Sequence, residues 1–389
     1  MKKILIVEDD QIVANIYSNK FSVEGFKVEV AHDGQAGLES LSRFRPDAVV
    51  LDLMLPKLSG IELMKRVRAQ PDYEKLPIIV FSNTYLTNMV QDAWKAGATK
   101  CISKATCSPK QLIEVVRNTL TPDSSPAAPQ TVAVPHRTHP TKDADAELQV
   151  SLRKSFLAGL PANLTSLRTS LQGVLKAGDE EAKLKGLYTM YRVMHSLTSN
   201  AGITGLVQLA RMTDALEALI KELYEKPKNI NASTLRTLAS SIDFIGFMST
   251  RIPQLQEQET APANILVVDD EAISRRAVTH ALEKAKLKSV SIEDPQLALN
   301  LLAQNKFDLI FLDVGMPELN GFELCAKLRA LPAHKKTPVV FVTVLNDFES
   351  RANSMVSGGN DLIAKPFLFI ELGVKALVHV MRGRFEQPR

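Results

Sequence analysis

Lys3–Asp10 reads KILIVEDD, an apolar run that stops abruptly in acids. Lys3–Val7 has the length of one buried strand, and Glu8 and Asp9 fall at its C-terminal end. Outward from it, Gln11–Val23 predicts a helix, Val28–Ala31 a strand and Gly34–Arg43 a helix. Asp47–Leu51 (DAVVL) is a second buried strand, again ending in an acid, Asp52. A helix follows Gly60. Then come a strand at Ile78–Phe81, a helix around Met89–Ala96, a short strand at Lys100–Ser103 and a helix from Pro109 to Leu120. Apolar strands alternating with helices predict a parallel sheet covered on both faces.

The same pattern recurs near the C-terminus. At a shift of 261 positions Glu8 maps to Asp269, Asp9 to Asp270, Asp52 to Asp313, Pro56 to Pro317 and Gly60 to Gly321. Ser82 maps to Thr343, Gly97 to Gly358 and Lys104 to Lys365, with no insertion or deletion between the first pair and the last. Spaced landmarks that repeat without slippage mark two copies of one domain.

In a parallel sheet of this kind, side chains at the C-terminal strand ends gather where the chain reverses its winding. Glu8, Asp9 and Asp52 would meet there, as would Asp269, Asp270 and Asp313. Crowded carboxylates raise one another's pKa, and a hard divalent cation with oxygen ligands, Mg²⁺, removes that cost. Ser82 and Lys104 end strands on the same edge, as do Thr343 and Lys365. A carboxylate, a cation, an ammonium and a hydroxyl together fit phosphoryl transfer, where positioning and charge neutralisation do most of the catalysis.

Between the copies, Thr121–Ala146 holds five prolines and reads as a semi-extended linker. Its His136 and His139 read as a solvated pair rather than a metal site. Glu147–Ile252 is helical in pattern, with Leu152, Phe156, Leu160, Leu164, Leu167 and Leu171 recurring at three or four. Pro161 is expected to open a new helix at its first turn. About five helices result, with His195 on the third of an antiparallel bundle. The stretch Tyr191–Gly205, YRVMHSLTSNAGITG, puts His195 at the edge of an apolar stripe. Ser199 and Gly202 lie one and two turns on, so the helix itself leaves the imidazole uncovered. Such an imidazole is nucleophilic near pH 7 and could take and pass on a group.

The length of 389 residues suggests two to four domains, and 45% hydrophobic with 23% charged residues is ordinary for a globular chain. A net charge of +4 is too mild to point to nucleic acid or a membrane surface. Cys101, Cys107 and Cys325 fit no metal spacing and no disulfide framework, which points to a reducing compartment, the cytoplasm. No segment approaches the roughly 18 apolar residues that span a bilayer.

Both copies resemble response-regulator receiver domains, the modules of two-component signalling. The resemblance implies a flavodoxin-like fold with strand order 2-1-3-4-5, and the boundaries expected are 1–121 and 264–384. It implies Asp52 and Asp313 as phospho-acceptors. One Mg²⁺ per receiver would be held by Glu8, Asp9, Asp52 and the Met54 carbonyl, and by Asp269, Asp270, Asp313 and the Gly315 carbonyl. Ser82 with Lys104, and Thr343 with Lys365, would bind the phosphoryl group. The family follows its lysine with a cis proline; Pro366 fits, whereas Lys104 is followed by Ala105 and a trans bond is expected there. The switch aromatic is replaced by Cys101 in one copy and Leu362 in the other, which removes the usual ring rotation.

The middle unit, 147–252 between linkers 122–146 and 253–263, resembles a histidine phosphotransfer (HPt) domain. His195, Ala201 and Gly205 match its motif; Thr198 stands in place of its lysine and Ser199 in place of its first glycine. This implies a phosphorelay protein served by a sensor histidine kinase or another phosphodonor, with further receiver or HPt proteins as partners. Thr198 predicts a slower histidine donor. Treated as a flexible chain, the longer linker spans roughly 25–30 Å, so exchange within one chain is expected. Asp313 is the favoured partner, with Ser199 and Gly202 facing the second receiver's acids. A second reading is a phosphorylation-controlled docking or dimerising module, a homodimer included, or the sensory part of a longer enzyme such as a nucleotide cyclase attached after the tail 385–389. No helix-turn-helix, nucleotide loop or kinase ATP-binding region is seen, so no separate catalytic output is assigned to this chain.

Overall fold

The computed structural model describes residues 1–83, 89–104, 107, 109–120, 142–251, 262–344 and 356–386. By internal contact the chain divides into two compact units. One is formed by 1–163 with 193–214, the other by 164–192 with 215–389.

The first unit holds the N-terminal sheet. Its elements in chain order are β1 (Lys3–Val7), α1 (Gln11–Val23), β2 (Lys27–Ala31), α2 (Gly34–Phe44), β3 (Ala48–Leu51), α3 (Gly60–Arg68), β4 (Ile78–Phe81), α4 (Met89–Lys95), β5 (Lys100–Ile102) and α5 (Pro109–Thr119). All pairings are parallel, in the order β2-β1-β3-β4-β5. Burial follows the apolar runs. Central β3 and β4 are buried at every residue, while edge strand β5 is half-buried throughout. One face of the sheet packs Leu5, Val7, Val49, Leu51 and Val80 with Leu41, Leu63 and Met64 from the helices. The other packs Ile4, Ile6, Val50, Ile79 and Phe81 with Val13, Tyr17, Phe21, Leu112 and Val116.

Pairing Val7 with Leu51 carries β1 and β3 to a common end, so their terminal acids stand side by side. There the Asp52 N–H donates to the Val7 carbonyl at 3.0 Å. Gly60 opens α3 under this edge, and a Cβ on it would come within 2.2 Å of the Asp52 carbonyl oxygen. The glycine landmark is therefore a requirement of close backbone approach.

In the second unit β6 (Ile265–Val268), α10 (Ala272–Lys284), β7 (Ser289–Ile292), α11 (Pro295–Gln304), β8 (Leu309–Asp313), α12 (Gly321–Arg329), β9 (Val339–Thr343), β10 (Asp361–Ala364) and α13 (Phe369–Glu386) repeat the pattern. Their order, β10-β9-β8-β6-β7, is the same 2-1-3-4-5 arrangement. Val268 pairs with Leu312, the register equivalent of Val7 with Leu51. A Cβ on Gly321 would lie 2.1 Å from the Asp313 carbonyl oxygen. Arg68 and Arg329 are a matched pair that the landmarks did not include. Arg68 donates to the Gly97 and Tyr73 carbonyls, and Arg329 to those of Gly358 and His334.

The region between the sheets is helical, with four long helices among the described residues: α6 (Lys142–Lys176), α7 (Glu180–Ile203), α8 (Val207–Glu225) and α9 (Ala232–Ser249). Two expectations are corrected here. Pro161 lies inside α6 and opens no new helix. Proline removes one N–H donor there, yet the apolar series through Leu160, Leu164, Leu167 and Leu171 stays buried on both sides of it. With that break gone there are four helices, and His195 sits on the second. The helix also begins at Lys142, inside the stretch read as linker.

Within the second unit, α9 packs on α13. Ser233 Oγ and Thr237 Oγ1 donate to Glu371 Oε1 at 2.6 and 3.1 Å, and Phe385 meets Phe244 and Phe247 edge-on. Lys365–Pro366 is cis, as expected; Ala105 lies outside the described residues.

Candidate functional site

At the C-terminal edge of the first sheet, Lys104 is fully buried between two acids. Its Nζ lies 2.6 Å from Glu8 Oε2 and 2.5 Å from Asp52 Oδ2. Burying an ammonium is costly unless its charge is matched, and the two carboxylates match it. Burial works against the charged form of Asp52, but the Lys104 ammonium and the His195 imidazole override it. They hold the Asp52 carboxyl well below the usual carboxylate range. Glu8 goes the other way: burial, reinforced by the Asp52 charge and opposed by Lys104, pushes its carboxyl up to about 7. Asp9 is raised by burial and then by the Asp52 charge.

His195 lies in this site. Its Nε2 stands 3.3 Å from Asp52 Oδ2. Three further contacts seat α7 on the sheet edge. Ser196 Oγ donates to Asp10 Oδ2 at 3.2 Å, Asn83 Nδ2 donates to Ser199 Oγ at 3.1 Å, and Ile203 is buried in the core cluster of α1 and α5. Asp10 meanwhile caps α1 through Oδ1, accepting from the Ile12 and Val13 amides. The expectation that His195 would favour Asp313, with Ser199 facing the second receiver, is corrected. The aspartate beside His195 is Asp52, and Ser199 faces Asn83. The polar and apolar fit of Ser196, Ser199 and Ile203 decides the contact.

The imidazole is also not uncovered. Small neighbours leave it open on its own helix, but the receiver edge closes over it and it is only 7% exposed. Thr198 is fully buried, and its hydroxyl donates back to the Met194 carbonyl. Ala201 is buried as well. Gly205, at φ +73°, ends α7: Leu206 N–H reaches the Ala201 carbonyl and Gly205 N–H the Gly202 carbonyl, a left-handed cap that suits glycine.

Among the described residues, two groups of side chains could hold a cation, the ligand atoms of each lying within 4.8 Å of one another: Asp269, Asp270 and Asp313 in one, Asp9, Asp52 and His195 in the other. The second receiver's all-oxygen set fits Mg²⁺. In the first receiver Glu8 stands outside the group and pairs with Lys104. Asp9 Oδ1 there is a buried carboxylate oxygen with no hydrogen-bond partner among the described residues, which suits a cation ligand. Ser82 Oγ is likewise buried without one.

Lys365 lies 2.7 Å from Asp313 Oδ1 and 3.1 Å from Asp269 Oδ2, and is more exposed than Lys104. Its pKa is raised, since both acids outweigh the effect of burial. Ser274 Oγ donates to Asp269 Oδ2 at 2.5 Å and Arg275 to the Asp269 carbonyl. Ser274 was not legible from the repeat, since Val13 occupies the equivalent place. Asn83 and Asp10 were adjacent to residues already singled out. Cys101 packs beside the first core and Leu362 beside that of the second unit. Burial pushes the Cys101 and Cys107 thiols up to about 12, away from redox chemistry.

Comparison with known proteins bears on the two sheet domains. The family model described as response regulator receiver domain matches residues 4–117 and 265–376. The protein RcaC of Microchaete diplosiphon is 33% identical over 123 residues, 32% of this chain and 19% of that protein. The response regulator MprA of Mycobacterium ulcerans is 42% identical over 80 residues, 21% of this chain and 34% of that one. The chain thus spans 19% and 34% of the length of these two relatives. Among solved structures, the chemotaxis protein CheY4 of Vibrio cholerae shows 32% identity, covering 31% of this chain and 99% of that chain at a TM-score of 0.29. No helix among the described residues is long and apolar enough to cross a membrane. With its motif matched twice over more than half of the sequence, the chain belongs to the response regulator receiver domain family, of which it carries two copies.

Proposed function

We propose that this two-receiver protein passes a phosphoryl group between His195 and Asp52 within one chain, as a receiver–HPt–receiver phosphorelay. One observation carries the reading: His195 Nε2 is buried 3.3 Å from Asp52 Oδ2. Asp52 is the attacking or leaving carboxylate, held ionised by Lys104 and His195. Lys104 neutralises charge on the transferring group, and Ser82 Oγ has its donor available for a phosphoryl oxygen. A bound Mg²⁺ supplies charge neutralisation of the phosphoryl oxygens. Asp9, Asp52 and the Met54 carbonyl would hold it in the first receiver, and Asp269, Asp270, Asp313 and the Gly315 carbonyl in the second.

Reacting atoms approach to about 3–3.5 Å before transfer. With the phosphorus bonded to one partner, His195 Nε2 and Asp52 Oδ2 must then part to on the order of 5 Å. The closed pair is the unloaded state. Asp313 is an independent acceptor served by Lys365 and Thr343, loaded by a kinase or another phosphodonor. The test is to load labelled phosphate from a small-molecule donor with Mg²⁺ and map it in wild type, His195→Gln, Asp52→Asn and Asp313→Asn. Label on His195 that vanishes in Asp52→Asn, with a rate independent of protein concentration, supports the relay. Label that never reaches His195 removes it and leaves a phosphorylation-controlled docking module.

A further inference from the structure

The two acidic edges, though copies, offer a cation different atoms. In the second receiver the group is three carboxylates; in the first it is Asp9, Asp52 and an imidazole from another segment of the chain. Two ligands each about 2.0–2.2 Å from one ion stand roughly 3.0–3.5 Å apart. The 3.3 Å between His195 Nε2 and Asp52 Oδ2 has that spacing. Asp9 contributes a fully buried carboxylate oxygen, Oδ1, with no hydrogen-bond partner among the described residues.

The geometry points to a mixed nitrogen–oxygen metal site formed by Asp9, Asp52 and His195, which takes a borderline divalent transition ion, Zn²⁺ foremost, in preference to Mg²⁺. Three protein ligands and one open position are the donor set of a four-coordinate zinc site, and imidazole favours such ions over magnesium. The ion joins α7 to the receiver edge. While it is bound, His195 Nε2 is a ligand and cannot accept a phosphoryl group. One chain then carries two receiver edges with opposite metal preferences, the second remaining an oxygen site for Mg²⁺. The inference rests on the ligand geometry alone and not on the relay.

The test titrates the full chain calorimetrically with Zn²⁺ and separately with Mg²⁺. Zinc-edge X-ray absorption is recorded at one equivalent of Zn²⁺. Wild type is compared with His195→Gln, Asp9→Asn and a His136→Gln/His139→Gln control. The expected result is a Zn²⁺ site that loses at least about 100-fold in affinity in His195→Gln and in Asp9→Asn, and less than about threefold in the control. The wild-type spectrum should show one imidazole among oxygen ligands, and the signal of that imidazole should vanish in His195→Gln. Mg²⁺ affinity should change by less than about threefold in His195→Gln. Asp9→Asn lies on the receiver, so a matching loss there cannot arise from a disturbed α7. A Zn²⁺ affinity that survives either substitution, a spectrum with oxygen ligands only or with several imidazoles, or Mg²⁺ binding as tight as Zn²⁺ at the first edge overturns the proposal.

Discussion

Replacing Lys104 with methionine should destabilise the first receiver far more than Lys365→Met destabilises the second. The two lysines hold equivalent places, but the Lys104 side chain is 1% exposed and that of Lys365 is 15%. Removing one partner of a buried ion pair leaves uncompensated charge and costs about 3–5 kcal/mol. Here Glu8 and Asp52 would be left facing each other. At the more solvated site, screening should reduce the loss to about 1–2 kcal/mol. Because the chain has two compact units, a single unfolding curve would mix them. Native-state hydrogen exchange of the Ala48–Leu51 and Leu309–Asp313 amides reads each receiver separately. Exchange in β3 should accelerate by roughly two to four orders of magnitude at pH 8, and exchange in β8 by tenfold or so.

The pH dependence gives a second check. Without the ammonium, the buried carboxylates take up a proton in the native state at a pH where the unfolded chain does not. Native pKa values above the unfolded ones mean that stability rises as pH falls, by up to about 1.4 kcal/mol per unit per proton, down to about pH 4. The Lys104→Met defect, with exchange rates corrected for their intrinsic pH dependence, should therefore shrink markedly between pH 8 and pH 5. Equal losses in the two receivers, or a defect that does not shrink on acidification, would refute the reasoning.

Gly60→Ala and Gly321→Ala should each destabilise their receiver by about 3 kcal/mol or more in the same exchange measurement, since the new Cβ meets a carbonyl oxygen at 2.2 or 2.1 Å. Gly159→Ala, with open space around its Cβ, should be neutral or stabilising. Native Cys101 and Cys107 should resist alkylation at pH 8 and react at once in denaturant, because their thiols are pushed up to about 12. Asp361→Asn should cost the second receiver about 2 kcal/mol at pH 7. Burial opposes the Asp361 charge, but hydrogen bonding to His379 and the nearby Lys375 ammonium hold its carboxyl below the usual range. Its contribution is complete above about pH 4 and fades as pH falls, so wild type and variant should converge in acid.

The sheets were legible because their strands are short, wholly apolar and end in acids, and because a second copy fixed the register of the first. The site's frame followed from the same pattern, since strand-end residues on one edge have nowhere else to go. What the pattern did not carry was side-chain reach. Glu8 and Asp269 are equivalent in sequence and each reaches its receiver's lysine, yet Glu8 sits at 2.6 Å from Lys104 whereas Asp269 lies 3.1 Å from Lys365 and also accepts from Ser274. Nor did the helical period reveal that Pro161 would be absorbed into α6, because Leu160 and Leu164 bury equally well on either side of it. The choice of Asp52 over Asp313 depends on long-range complementarity at Ser196, Ser199 and Ile203, which no local window contains.

Arg68 and Arg329 have a consequence for how two copies of one domain come to differ. Each ties the end of its third helix to the turn before the fifth strand mainly through main-chain carbonyls, Arg329 adding the Asn360 side-chain oxygen at 3.1 Å, so the tie depends little on which side chains surround it. A duplicated domain anchored in this way can change its acids, its lysine loop and its partners while the frame beneath is inherited intact. The mismatches between the copies, Glu8 against Asp269, Ala105 against Pro366 and Cys101 against Leu362, all lie outside that tie. Exchanging these positions between the copies should yield receivers that still fold, and their chemistry could then be traded one residue at a time.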